Sequence, residues 1–104
     1  MTVSMTTGSL DRLQQLYDSG YTDRFVDTAL RKIVERQITR DEADLARVNS
    51  ELRDFEARFA MSSDLFWRRY QDGKLDDMTD FVEWNIFCKM QHRLVARLNI
   101  LREQ

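Results

Sequence analysis

The chain has no proline, three glycines, one cysteine and one histidine among its 104 residues, and each shortage excludes something. Without proline, and with so little glycine, a collagen-like repeat or a flexible linker is ruled out, and helices meet few obligatory stops. Cys88 has no second cysteine with which to close an intrachain disulfide, so a disulfide-stapled secreted domain is excluded. His92 stands alone, which leaves a two-imidazole zinc site or a histidine pair without its parts. No apolar run approaches the roughly 18 residues that a membrane helix requires, and the amino terminus lacks the basic stretch and apolar core of a signal peptide. Together these absences predict one cytoplasmic domain outside the membrane.

What is present points to helix. Hydrophobic residues make up 42% of the chain and charged residues 33%, enough of each for amphipathic packing. Sixteen Lys and Arg against eighteen Asp and Glu leave a formal charge of −2. Nucleic-acid binding needs a basic stripe, and the nearest one is Lys89, Arg93, Arg97 and Arg102 near the carboxyl end. Their spacing of four and five is read as the solvated face of a helix, and nucleic acid is not expected as a partner.

Residues 1–8 have no periodicity and are read as a flexible leader, with residues 9–104 as a single helical domain. Ser9 is the expected N-cap of a short first helix carrying Leu10, Leu13, Leu16 and Tyr17 on one face, and Ser19 with Gly20 is its stop. Thr22 is the expected cap of the next helix, stapled by Tyr21 and Val26, with Asp23 in the first turn. No breaker follows until about residue 60. Apolar positions fall at Val26, Leu30, Ile33, Val34 and Ile38, and then at Leu45, Val48, Leu52, Phe55 and Phe59 in the three-four rhythm of a bundle seam. Asp41 interrupts that seam. Either the helix kinks around residues 39–41, or the molecule is elongated.

Ser62 caps a third, short helix expected to reach about Tyr70, with Met61 and Phe66 as its staple. Asp72, Gly73 and Lys74 form the one strong interior turn. Asp80 and Glu83 have the spacing of a capping box for the last helix, whose broad apolar face holds Phe81, Trp84, Phe87, Cys88, Leu94, Val95, Leu98 and Leu101, with Gln91 as a polar interruption. The expected architecture is all-α: an antiparallel hairpin or coiled-coil bundle of two long helices, with one short helix before them and another between, and dimeric because so thin a core leaves apolar faces to cover.

No residue set carries catalysis. His92 between Gln91 and Arg93 reads as ordinary surface, and Cys88 beside Phe87 as a small hydrophobe in the core. Asp72, Asp76, Asp77, Asp80 and Glu83 lack the alternating ligand offsets of a calcium loop and suit helix capping instead. No glycine-rich phosphate loop, paired CxxC or nucleophile elbow occurs, so neither an enzyme nor a cofactor is expected. Aromatics crowd residues 55–87. Most of them suit the junction of the helices, but Trp67, Arg68, Tyr70 and Trp84 are the candidate partner-binding residues, because aromatic and arginine side chains dominate protein-protein hot spots.

The stretch FEARFAMSSDLFWRRYQDGKLDDMTDFVEW, followed by NIFCKMQHRL, resembles a pattern of small helical prokaryotic proteins. Its carriers here are Phe55, Glu56, Phe59, Met61, Ser62, Phe66, Gly73, Asp80, Phe81, Glu83 and Trp84. That family resembles antitoxin-like components encoded beside a small toxin gene, and it has no catalytic residues to transfer. The resemblance implies a protein that neutralises a cognate toxin protein by occlusion. A structural coiled-coil adaptor is the alternative. Family members often have glycine after the aromatic turn; Ala60 here is expected to weaken a left-handed cap.

Overall fold

The computed structural model describes the backbone of residues 5–103 and the side chains of residues 8–103. Four helices make up the described chain: α1 (Met5–Asp18), α2 (Arg24–Phe59), α3 (Ser63–Gln71) and α4 (Thr79–Arg102). The protein is all-α, with no strand among the described residues. Two compact units divide it, Met1–Ile33 and Val34–Gln104, and their boundary falls inside α2.

In the first unit, α1 starts four residues before the expected cap at Ser9. Gly8 lowers helix propensity by about 1 kcal/mol relative to alanine, too little to stop a helix in a stretch without proline. Residues 1–4 of the expected leader lie outside the described residues. The stop is where the sequence puts it: Gly20 takes φ 97° and donates its N–H to the Tyr17 carbonyl at 3.0 Å. The cap of α2 is Asp23, not Thr22. Its Oδ1 accepts the Val26 N–H at 3.1 Å and its Oδ2 accepts the Tyr21 hydroxyl at 3.0 Å. The Val26 N–H, followed by the Tyr21 hydroxyl, holds the Asp23 carboxyl below its usual range. Two acceptors adjacent in sequence compete for one cap, and the carboxylate, the stronger acceptor, takes it. The Tyr17 phenol, hydrogen-bonded to Asp27, is pushed up to about 12.

In the second unit, α2 stays helical through residues 39–41. Its seam residues Val48, Leu52 and Phe55 are buried, with Leu45 and Phe59 packed at the edge of the same core. Opposite them lie Trp84, Cys88, Leu94 and Leu98 of α4, also buried. Contacts between the two helices pair in opposite order: Asp41 with Arg97, Asn49 with Gln91, Phe55 with Trp84, and Arg58 with Asp80. Both polar interruptions of the seams, Asp41 and Gln91, thus find polar partners across the interface.

The corner between α2 and α3 turns on Ala60. Its φ is 50°, and the Met61 N–H reaches back to the Glu56 carbonyl at 3.3 Å, the six-to-one bond of a Schellman cap. The left-handed cap is therefore present without glycine, at the conformational cost that an alanine there carries. The orphan amides at the start of α3 are taken up on both sides, the Ser63 N–H by the Glu56 carboxylate at 2.9 Å and the Leu65 N–H by Ser62 Oγ at 3.1 Å. At the far end of α3, Gly73 at φ 72° closes a full Schellman motif through the Gly73 and Lys74 N–H groups.

The start of α4 departs from the capping-box expectation. The helix begins at Thr79, its N-cap is Met78 without a side-chain bond, and Asp80 is spent on Arg58 at 2.9 Å. Arg58 in turn lies over the Phe55 and Phe59 rings, 5.3 Å from each centroid. An arginine anchored by two aromatic faces offers Asp80 a better partner than a solvated amide.

Candidate interaction site

Trp84 is a core residue. It has no exposed surface, and its indole stacks on Phe66 at 4.0 Å with 4° between the rings. Its N–H donates to Ser63 Oγ at 3.0 Å, so the polar edge is satisfied inside the protein. The expectation that Trp84 contacts a partner is corrected: α4 turns this position toward α2 and α3, whose Phe55, Phe59 and Phe66 enclose it.

The other three candidates lie on α3 and divide by role. Phe66 is the residue that α3 commits to the core, and Tyr70, one turn later, stacks on it at 5.4 Å. The Tyr70 hydroxyl donates to Asp77 at 3.1 Å, and burial, followed by the Asp77 carboxylate, raises its pKa. Tyr70 is thus half-buried and engaged. Trp67 is also half-buried, its ring edge-to-face with His92 at 4.8 Å and 83°. Arg68 is exposed, and with Asp64 and Trp67 it borders a shallow surface depression. Trp67 and Arg68 are therefore the accessible part of the predicted patch, while Tyr70 supports it from beneath. His92 is exposed, as its sequence context suggested, and its ring meets Trp67 edge-on.

A second feature escaped the sequence reading. Between α2 and α4 runs a groove of about 560 Å³, floored by Val48, Phe87, Met90 and Leu94. Arg47 and Glu51 stand on its α2 side, and Arg93 and Arg97 on its α4 side. The basic residues Lys89, Arg93, Arg97 and Arg102 are all exposed, as their spacing suggested, and two of them also reach acidic residues of α2. Arg97 forms a two-pronged ion pair with buried Asp41, and Arg102 pairs with Glu42.

No family model, curated protein or solved structure matches this chain. Its chemistry must be read from its own residues. Among the described residues, no cluster of His, Cys, Asp and Glu could hold a metal ion. Burial, with Asp64 and Glu56 adding to it, pushes the Cys88 thiol up to about 11, which suppresses the thiolate. No described helix is long and apolar enough to cross a membrane.

The signal that could have revealed the groove lies in α4. Beside its buried residues the helix carries Val82, Ile86, Met90, Arg93, Arg97 and Ile100 at steps of four, four, three, four and three. Ile86 is 50% exposed and Ile100 70%. Apolar side chains thus lie on two sides of α4, and only one of those sides is the core.

Proposed function

We propose that this protein is a non-catalytic interaction module, the antitoxin-like component of a toxin-antitoxin pair. It silences its partner by forming a complex. Its long helices α2 and α4 form an antiparallel hairpin, and two hairpins associate as a homodimer. The observation that carries this reading is α4, because a helix that is apolar on more than one side is the kind that ends up enclosed, and the chain itself encloses only one side.

Trp67 and Arg68 support a site for the partner. An aromatic ring fixed by His92 loses little rotamer freedom on binding, and an adjacent guanidinium supplies directional hydrogen bonds. Neutralisation of this kind follows mass action: the toxin surface is covered in proportion to the free antitoxin and its affinity, with no bond made or broken.

Co-expression with the neighbouring open reading frame tests the proposal, scored by growth and by co-purification. Growth arrest by the neighbour alone, relieved by this protein with recovery of a stable complex, is the expected result. A complex without toxicity identifies a structural adaptor instead. Absence of both toxicity and complex overturns the reading.

A further inference from the structure

We propose that α1 is a releasable latch: independently of any partner, it is helical only while seated on α2, and it swings off at Gly20 while the second unit stays folded. Among the described residues 8–33 none is buried, whereas the second unit closes over Phe55, Phe66, Trp84 and Leu98. Even with α1 docked, Leu10 and Leu16 stay 57% and 42% exposed. A cavity of about 190 Å³ is left between Leu10, Leu13, Gln14 and Tyr17 of α1 and Leu30 of α2. Local stability follows buried apolar contact, so the first unit opens at a far lower free energy than the second.

Docking decides whether α1 exists as a helix at all. Fourteen residues are marginal for a helix alone in water, and this one carries Thr6, Thr7 and Gly8, none of them a strong helix former. Residues 24–33 differ. They continue a 36-residue helix whose later turns are held in the core of the second unit, and extending a formed helix needs no new nucleus. Release therefore unwinds α1 and leaves α2 whole. Gly20, at φ 97° with open space where a Cβ would stand, is the pivot. The catch is Tyr17. Its hydroxyl donates to Asp27 Oδ1 at 2.5 Å, with the Asp23 carbonyl as a second acceptor at 3.3 Å, and its ring meets Tyr21 edge-on at 6.4 Å. A phenol bonded to a carboxylate is among the stronger neutral-donor contacts. Opening breaks that bond and bares Leu13 and Leu30, half-buried residues that line the same cavity.

Native-state hydrogen exchange of the full chain, read by mass spectrometry on peptides from α1 and from α4, tests the latch. Amides of α1 are expected to exchange more slowly than an unstructured chain and faster than those of α4. Urea below the unfolding transition should speed exchange in α4 steeply and in α1 very little, because only global opening exposes much surface. Tyr17→Phe keeps the ring and removes the hydroxyl. It should speed α1 exchange by about two- to tenfold and leave α4 unchanged. Three results overturn the proposal: α1 exchanging at the rate of an unstructured chain, α1 exchanging only in step with α4 as urea rises, or α1 exchange indifferent to Tyr17→Phe.

Discussion

Asp41 and Arg97, 56 positions apart, meet in a two-pronged ion pair at 2.7 and 2.8 Å, the carboxylate 1% exposed and the guanidinium half in solvent. Gln37 donates a further hydrogen bond to Oδ1 at 2.9 Å. The pair is asymmetric, and the two partners have unequal exits. Removing Arg97 strands a buried carboxylate, whereas removing Asp41 releases an arginine that already reaches water. Arg97→Ala is therefore expected to destabilise the protein more than Asp41→Leu, which restores an apolar residue at a seam position. The double variant should be no less stable than Arg97→Ala alone. Denaturant titration of the three variants checks this, and an Asp41→Leu variant weaker than Arg97→Ala contradicts it.

The same contact sets an acid limit. The Arg97 hydrogen bonds, opposed by burial and reinforced by Gln37, lower the Asp41 pKa from its ordinary value of 3.8. A carboxyl depressed in the folded state contributes stability that is complete above its unfolded pKa and is lost as pH falls through the folded one. Below about pH 4, wild-type stability should fall more steeply than that of Asp41→Asn. Thermal melts across the acid range check it; parallel curves would remove the ion pair as the cause.

Trp84 depends on one oxygen. Ser63→Ala removes the acceptor of its indole N–H and leaves a buried donor unpaired, at an expected cost of about 1–3 kcal/mol. Trp84→Ala opens a cavity in the aromatic stack and should cost about 3–5 kcal/mol. Urea unfolding measures both, and an unchanged midpoint for Ser63→Ala would show that the bond carries no weight.

Ala60 holds a left-handed conformation that an L side chain adopts at a cost of roughly 1–2 kcal/mol. Ala60→Gly relieves that cost and gives back part of it as unfolded-chain entropy. A net gain of about 1 kcal/mol is expected, or roughly 4–8 °C in Tm for a domain of this size. Calorimetry settles the sign.

Cys88 should be silent to alkylation. Its burial and raised pKa predict iodoacetamide labelling at neutral pH only after unfolding, at the rate of global opening. Mass spectrometry with and without urea checks it, and rapid labelling of the native protein would place the thiol outside the core.

The ends of the helices show how far local chemistry can be read from sequence. Ser62, Gly20 and Gly73 do what their residue types predict, because a cap is decided within four or five neighbouring residues. Thr22 and Asp80 do not. Thr22 loses to the adjacent carboxylate of Asp23, and Asp80 is drawn to Arg58, 22 positions away. A carboxylate near a helix start suits either role, and only the neighbour brought in by the fold decides between them.

The candidate site divides in the same way. That Phe66 faces inward and Trp67 partly outward follows from helical periodicity in α3. Periodicity also places Trp84 on the apolar face of α4 with Cys88, Leu94 and Leu98, the side that is buried, but that its whole ring is enclosed depends on Phe55, Phe59 and Phe66 brought in from α2 and α3. The groove was invisible for the same reason: its walls come from residues 44–51 and 87–97, and no sequence window spans both.

By itself, then, the sequence determined an all-helical chain, the approximate helix ends, a buried free cysteine and a seam broken at Asp41. It did so because propensity, capping and apolar spacing act over a few residues. The tertiary structure alone decided which arginine answers Asp41, which residues enclose Trp84, and which of the two carboxylates near helix starts, Asp23 and Asp80, serves as a cap. Those outcomes depend on α2 and α4 meeting in opposite directions, and contacts between positions dozens of residues apart are fixed only once the helices dock.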